Sequence, residues 1–294
     1  VSLLAASPGL FACAAALLGL AIGSFLNVVI HRLPLMLERR WRAELADATG
    51  APAPPAAEKY NLVVPRSRCP GCNAAIRALH NVPVVSWLAL RGRCATCRAP
   101  ISPRYPLVEL ATGAGFAAVA WHFGLGFQAL LGFVLTAYLI ALTAIDLDRQ
   151  LLPDVLTLPL MWIGLIASLW HSESFPGAPP VSPRDALIGA AAAYGFLWCV
   201  FQAFRLATGK EGMGYGDFKL FAAAGAWLGW RMLPLVLLLA AVVGAVTGIA
   251  LIVARRHGRG VPIPFGPYLA GACWIALMWG GPIMDAWLSA ARLG

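Results

Sequence analysis

Apolar residues fall in long unbroken blocks separated by short polar stretches. The blocks run at about 10–30, 106–122, 127–145, 154–170, 185–205, 218–233, 233–254 and 266–289. Most approach the roughly 20 residues that a helix needs to cross a bilayer at about 1.5 Å per residue. The two-residue alternation of a membrane β-barrel is absent. The pattern therefore predicts an all-α polytopic membrane protein with about eight transmembrane helices. The boundary between the sixth and seventh blocks is expected in WLGWRMLP (227–234), where Arg231 and Pro234 interrupt the apolar run. The first block is too long for an ordinary signal peptide and lacks a small-residue cleavage site, so it is expected to stay as an anchor.

Between the first and second blocks the pattern changes. Residues 32–104 are polar, basic and rich in Pro and Cys, which predicts a small extramembrane domain. Three regions follow: a first helix at 1–31, the polar domain at 32–104, and a seven-helix membrane core at 105–294. ATGAPAPPAAEKY (48–60) reads as a linker or loop tip, and HSESFPGAPPVSPRD (171–185) as a long Pro-rich loop.

Composition strengthens the membrane reading. Of 294 residues, 60% are hydrophobic and 12% charged, against about 25% charged in a typical soluble domain. The mean hydropathy is +0.75. The net charge is +9, and twelve of the 22 Lys+Arg lie between Arg32 and Arg104. In a chain with this many apolar blocks, such a cluster marks the cytosolic side by the positive-inside rule, and nucleic acid is not expected as a partner. The remaining charges follow the same rule. Arg149, Arg205, Lys210, Lys219, Arg255, Arg256 and Arg259 fall on the side of the basic domain. Only Arg184, Arg231 and Arg292 fall on the other, where both termini are expected.

The polar domain carries a specific signal. CPGC (69–72) and CATC (94–97) are two C-x-x-C knuckles 21 residues apart. A two-residue gap lets both thiolates of one turn face the same tetrahedral ion at about 2.3 Å, and a second turn closes the site. Cys69, Cys72, Cys94 and Cys97 are thus candidate zinc ligands, of a structural kind because all four positions are filled. Arg68, Arg91, Arg93 and Arg98 can offset the thiolate charge. Two disulfides are the alternative, which a reducing cytosol disfavours. Cys13, Cys199 and Cys273 stand alone in apolar blocks and read as packing residues.

Two acids stand out among thirteen. Asp146 lies at the cytosolic end of its predicted helix, the unfavourable end of the helix dipole for a carboxylate. Asp217 opens the helix after GKEGMGYGDFKL (209–220), where capping is its ordinary role. Gly214 and Gly216 tolerate positive φ and leave room for another backbone, such as an extended substrate. Both acids fall on the cytosolic side. If they meet, they titrate as a unit; one can take a proton from water while the other donates to a carbonyl. No G-x-S-x-G or H-E-x-x-H competes with them.

GSFLNVVIHRLP (23–34), the two knuckles, SWLALRGRC (86–94), ISPRYPLVE (101–109), IDLDRQLLPD (145–154), TGKEGMGYGDFKL (208–220) and IPFGPYLAGA (263–272) together resemble the type IV prepilin peptidases. The G-x-G-D element is shared with presenilin-like proteases, whose partner helix carries Tyr-Asp where this chain has Ile145-Asp146. The resemblance implies a Gram-negative inner-membrane aspartyl protease with Asp146 and Asp217 as its catalytic pair. Such enzymes remove the basic leader of prepilins and type II secretion pseudopilins after a glycine. It also implies N-methylation of the new amino terminus with S-adenosylmethionine, whose binding residues the sequence does not mark. A peptidase lacking the methyltransferase activity, and a non-enzymatic scaffold or transporter with a zinc-bound loop, are the rival readings.

Other residues are weighed on simpler grounds. Glu109 lies just inside the second helix, either as a functional acid at membrane depth or as a partner of Arg104. Lys219 either steadies a carboxylate or substrate, or anchors the cytosolic face. Ser24 and Asn27 sit among small residues that suit a helix–helix contact.

Overall fold

The computed structural model describes residues 7–50, 60–171, 181–254 and 263–292. Most of the 48–60 linker, the centre of the 171–185 loop and the basic 255–262 stretch lie outside these. Helices are numbered here in chain order: α1 (Pro8–Thr49), α2 (Val85–Ala89), α3 (Arg104–Phe123), α4 (Phe127–Arg149), α5 (Asp154–Ser168), α6 (Pro183–Thr208), α7 (Tyr215–Leu228), α8 (Leu233–Val253) and α9 (Gly266–Arg292). Among the described residues there is no strand, only two isolated antiparallel bridges. All eight expected helices are present. Five of them, α1, α4, α6, α8 (with the short turn before it) and α9, are long and apolar enough to cross a membrane. The all-helical polytopic class stands; α5 and α7 are shorter, at 15 and 14 residues.

The first helix departs from expectation. The apolar run ends near Ile30, but α1 continues through Pro34 to Thr49. Ser7 caps its start, its hydroxyl accepting from Leu10 N–H at 3.4 Å, with Pro8 in the first turn. The polar extension is rich in helix formers and carries i,i+4 pairs, Glu38 with Arg42 and Arg40 with Glu44 at 3.5 Å. It stops at Gly50 in the left-handed region. Hydropathy set the membrane limit of this segment, and propensity carried the helix beyond it.

The chain divides into two compact units, Val1–Trp121 and His122–Gly294. In the first, α1 and α3 approach closely. A Cβ on Gly19 would lie 2.7 Å from the Thr112 carbonyl, and one on Gly23 2.7 Å from Glu109 Cα. Asn27 donates to the Tyr105 carbonyl at 3.1 Å, so it is a helix–helix contact as expected. Arg32 is buried and donates to the carbonyls of Asn61 and Pro65 at 2.9 and 2.6 Å.

In the second unit, α7 is the central element. Of its residues, Asp217, Phe218, Leu220, Phe221 and the run 222–227 are buried. Its tightest crossing is with α6, where Gly225 and Gly189 bring the two backbones into contact; a Cβ on Gly189 would also lie 2.9 Å from Trp230 N. Trp227 lies over Gly164 of α5 and donates to the Leu160 carbonyl at 2.8 Å. Phe218 meets Tyr194, Phe201 and Tyr215 edge-on at the other end of α7, and Phe201 lies tilted against Tyr215. α7 ends at Gly229, whose φ is +76, followed by a 3-10 turn over Trp230–Met232; α8 then opens with Pro234 in its first turn. The break therefore falls within WLGWRMLP, and glycine rather than Arg231 makes it.

Candidate active site and metal centre

Four cysteines converge in the first unit. The sulfurs of Cys69, Cys72, Cys94 and Cys97 all lie within 4.8 Å of one another, and Cys69 Sγ is 3.7 Å from Cys97 Sγ. A tetrahedral ion with bonds of about 2.3 Å needs sulfurs about 3.8 Å apart, whereas a disulfide needs about 2.05 Å. None of the four is disulfide-bonded. The donor set fits a structural metal site, and disulfides are not formed.

The two knuckles are built alike. In each, the first cysteine N–H donates to the carbonyl five residues on, Cys69 to Ala74 at 3.0 Å and Cys94 to Ala99 at 2.8 Å. In each, the residue after the second cysteine has positive φ, Asn73 at 55° and Arg98 at 60°, and returns its N–H to the first cysteine's carbonyl. The flanking bridges, Arg68 with Ala75 and Arg93 with Pro100, match as well. The backbone N–H groups of Cys97 and Thr96 hold the Cys94 thiol down to about 6. Cys97 goes the other way: the Ala99 backbone lowers it, but the crowded sulfurs of Cys72, Cys69 and Cys94, together with burial, push it up to about 11. Such a cluster holds thiol protons only while no cation takes their place.

Glu109 also belongs to this unit. It is buried on α3, and its Oε2 accepts the Val84 N–H at 2.7 Å. Val84 has φ +60, an unusual conformation for a β-branched residue. Glu109 thus ties down a strained turn between the two knuckles in the chain.

The second unit brings Asp146 and Asp217 together. Asp146 sits in the last turn of α4, which ends with Gln150 in the left-handed region. Asp217 sits in the first turn of α7, three residues after the Gly214 cap. It is therefore at the third helical position rather than the cap itself, and its carboxyl takes a hydrogen bond from the Gly214 backbone, half of a capping box. Both acids are buried, 5% and 8% exposed, and lie within electrostatic reach of one another. Asp146 Oδ2 accepts the Gly266 N–H at 3.1 Å. Asp217 Oδ1 is buried with no hydrogen-bond partner among the described residues.

The neighbours of the pair differ from expectation in three ways. Gly214 has φ −80, and neither it nor Gly216 adopts positive φ. Gly216 is crowded by the chain itself: a Cβ there would lie 2.6 Å from Leu152 Cβ. Only Gly214 keeps an open side, with Asp217 Oδ2 at 3.6 Å from its virtual Cβ. Lys219 binds Asp154 at 2.6 and 2.7 Å, joining α7 to the start of α5. The sequence reading also missed Gly266. Its Gly-Pro pair at a helix start was a visible signal, since such a terminus offers free N–H groups.

Two buried carboxylates from separate helices, inside an all-helical polytopic membrane protein, are the equipment that an aspartic, non-covalent class of hydrolase uses. The comparisons agree. Residues 17–123 match the bacterial peptidase A24 N-terminal domain, and residues 133–249 match the type IV leader peptidase family. The prepilin leader peptidase/N-methyltransferase of Stutzerimonas stutzeri is 52% identical over 293 residues, covering 100% of this chain and 99% of that protein. The protein of the same name from Aeromonas hydrophila is 56% identical, covering 96% and 95%. That of Pseudomonas aeruginosa is 54% identical, covering 98% and 97%. No solved structure matches the chain. The chain belongs to the type IV leader peptidase family.

Proposed function

We propose that this protein cleaves the basic leader from type IV prepilins and type II secretion pseudopilins, then N-methylates the exposed amino terminus. The observation that carries the hydrolytic half is the meeting of Asp146 and Asp217 from separate helices, both buried and mutually interacting. The pair holds one proton. The ionised member takes a proton from water as the water oxygen attacks the scissile carbonyl. The protonated member donates to the carbonyl oxygen. Collapse of the tetrahedral species returns a proton to the departing amine, and no covalent enzyme intermediate forms. Asp217 Oδ1, with no hydrogen-bond partner among the described residues, is free to carry the shared proton and donate it, which leaves Asp146 as the ionised member.

The methyl-transfer half rests on the names of the relatives and on the cysteine unit. S-adenosylmethionine, when bound, supplies the methyl group. Zinc is the metal that four thiolates in this spacing suit best. Cys69, Cys72, Cys94 and Cys97 would hold it and fix the two knuckles around it.

The membrane is the bacterial inner membrane, with the acids facing the cytosol and both termini in the periplasm. Arg149 and Arg205 support this, lying in the last turns of α4 and α6, at cytosolic ends under this topology. The test is incubation of the protein in vesicles with a synthetic prepilin and labelled methyl donor, followed by mass analysis. The expected product lacks the leader and carries one added methyl group. Cleaved but unmethylated product would leave a peptidase alone, and intact prepilin would sink the assignment.

A further inference from the structure

Asp146 occupies a position that helix physics disfavours. It lies in the last turn of α4, where unpaired carbonyls leave partial negative charge. A carboxylate there needs a positive counterpart from another element. Lys219 is engaged by Asp154. The counterpart found is the backbone N–H of Gly266, the first residue of the 27-residue helix α9, donating to Asp146 Oδ2 at 3.1 Å in a buried setting. The first N–H groups of a helix have no intrahelical acceptor and carry the positive end of its dipole. The head of α9 thus offsets the tail of α4.

We propose that Gly266 is a positioning residue of the hydrolytic centre, holding the Asp146 carboxylate through its N–H; this rests on the reading of Asp146 and Asp217 as the hydrolytic pair. Glycine is not needed at 266 for its backbone conformation, because its φ is not positive. It is needed for space. A Cβ there would lie 2.6 Å from Asp146 Oδ2, and 3.2 Å from both Asp146 Cγ and Leu152 Cδ1. Any side chain forces the carboxylate off its donor. The head of α9 has little freedom to retreat. Trp274 Nε1 donates to Thr136 Oγ1 of α4 at 3.0 Å, and Leu269, Ala270 and Cys273 of α9 are buried in the core.

The test is Gly266→Ala in the full chain in vesicles, assayed for prepilin cleavage. A displacement of about 1 Å at a reacting group costs about 10²-fold in rate. The expected result is kcat lower by about that factor, with KM within about twofold. Gly271→Ala, on the same helix with nothing within 4 Å of its virtual Cβ, keeps wild-type kinetics. Adding Leu152→Ala to Gly266→Ala does not restore cleavage, because the carboxylate remains displaced. Thermal unfolding in detergent supplies a readout independent of activity. Asp146→Ala removes the atom that collides, so Gly266→Ala costs less stability in that background, and the double variant folds even where Gly266→Ala alone does not. Wild-type kcat in Gly266→Ala, rescue by Leu152→Ala, or equal destabilisation in both backgrounds would overturn the proposal. Full cleavage by Asp146→Asn would instead overturn the hydrolytic pair itself.

Discussion

The two units of this chain organise their polar groups by opposite means. In the first, four cysteines arrive as two local turns, and each turn carries its own hydrogen bonds from Cys69 to Ala74 and from Cys94 to Ala99. The candidate ligands come in sequence-adjacent pairs, and an ion would complete what the backbone already shapes. In the second, Asp146 and Asp217 come from helices separated by α5 and α6, and are supported by a third element, the head of α9. Helix packing alone brings them together. The contrast predicts that damage to a ligand stays local in the first unit, whereas damage to packing reaches the chemistry in the second.

The largest effect is expected at the acids. Asp146→Asn or Asp217→Asn lowers leader cleavage by about 10²–10⁴-fold, the range for an acid–base group, while the protein still inserts. Mass analysis of the prepilin after incubation measures this; normal leader removal by either variant removes the assignment. Next come the ligands. Cys69→Ser or Cys94→Ser brings bound metal from about one per chain to about none, since structural sites need all four donors. Hydrogen exchange should rise across 66–101 and stay unchanged in α4 to α9, with methylation hit at least as hard as cleavage. Retention of metal by these variants contradicts the site.

A smaller effect tests the packing. Gly225→Ala forces α7 away from Gly189 and is expected to cost about 1–3 kcal/mol, as overpacking does, and to slow cleavage because α7 carries Asp217. Thermal unfolding and prepilin turnover measured together check this; unchanged values for both would break the comparison. The smallest is Lys219→Met. Its partner Asp154 is 55% exposed, so the ion pair contributes about 0–1 kcal/mol. Cleavage should stay within a few-fold. A total loss would return Lys219 to the site chemistry from which its pairing with Asp154 separates it.

Much of this is legible in the amino-acid order. Continuous apolar blocks can only be helices in a membrane, because each must satisfy its own backbone, and the expected helices formed. C-x-x-C spacing marks a metal turn because the geometry is local. Three residues have surroundings that the sequence does not show, for one shared reason. Gly216, Lys219 and Glu109 were judged by what their residue types permit, yet their partners, Leu152, Asp154 and Val84, lie 64, 65 and 25 positions away in the chain. α1 overran its apolar block because hydropathy reports solvent and not helix length.

The amino-acid order alone determined the membrane class, the basic side, the four ligands and the two acids worth weighing. Each follows from residue type and short-range spacing. Only the tertiary structure decided that both acids are buried within electrostatic reach of one another, that Lys219 pairs with Asp154 of α5, and that the Gly266 N–H donates to Asp146. Those facts depend on which helix ends meet. Meeting is settled by close backbone approach at a few small residues, where one Cβ more would push the helices apart.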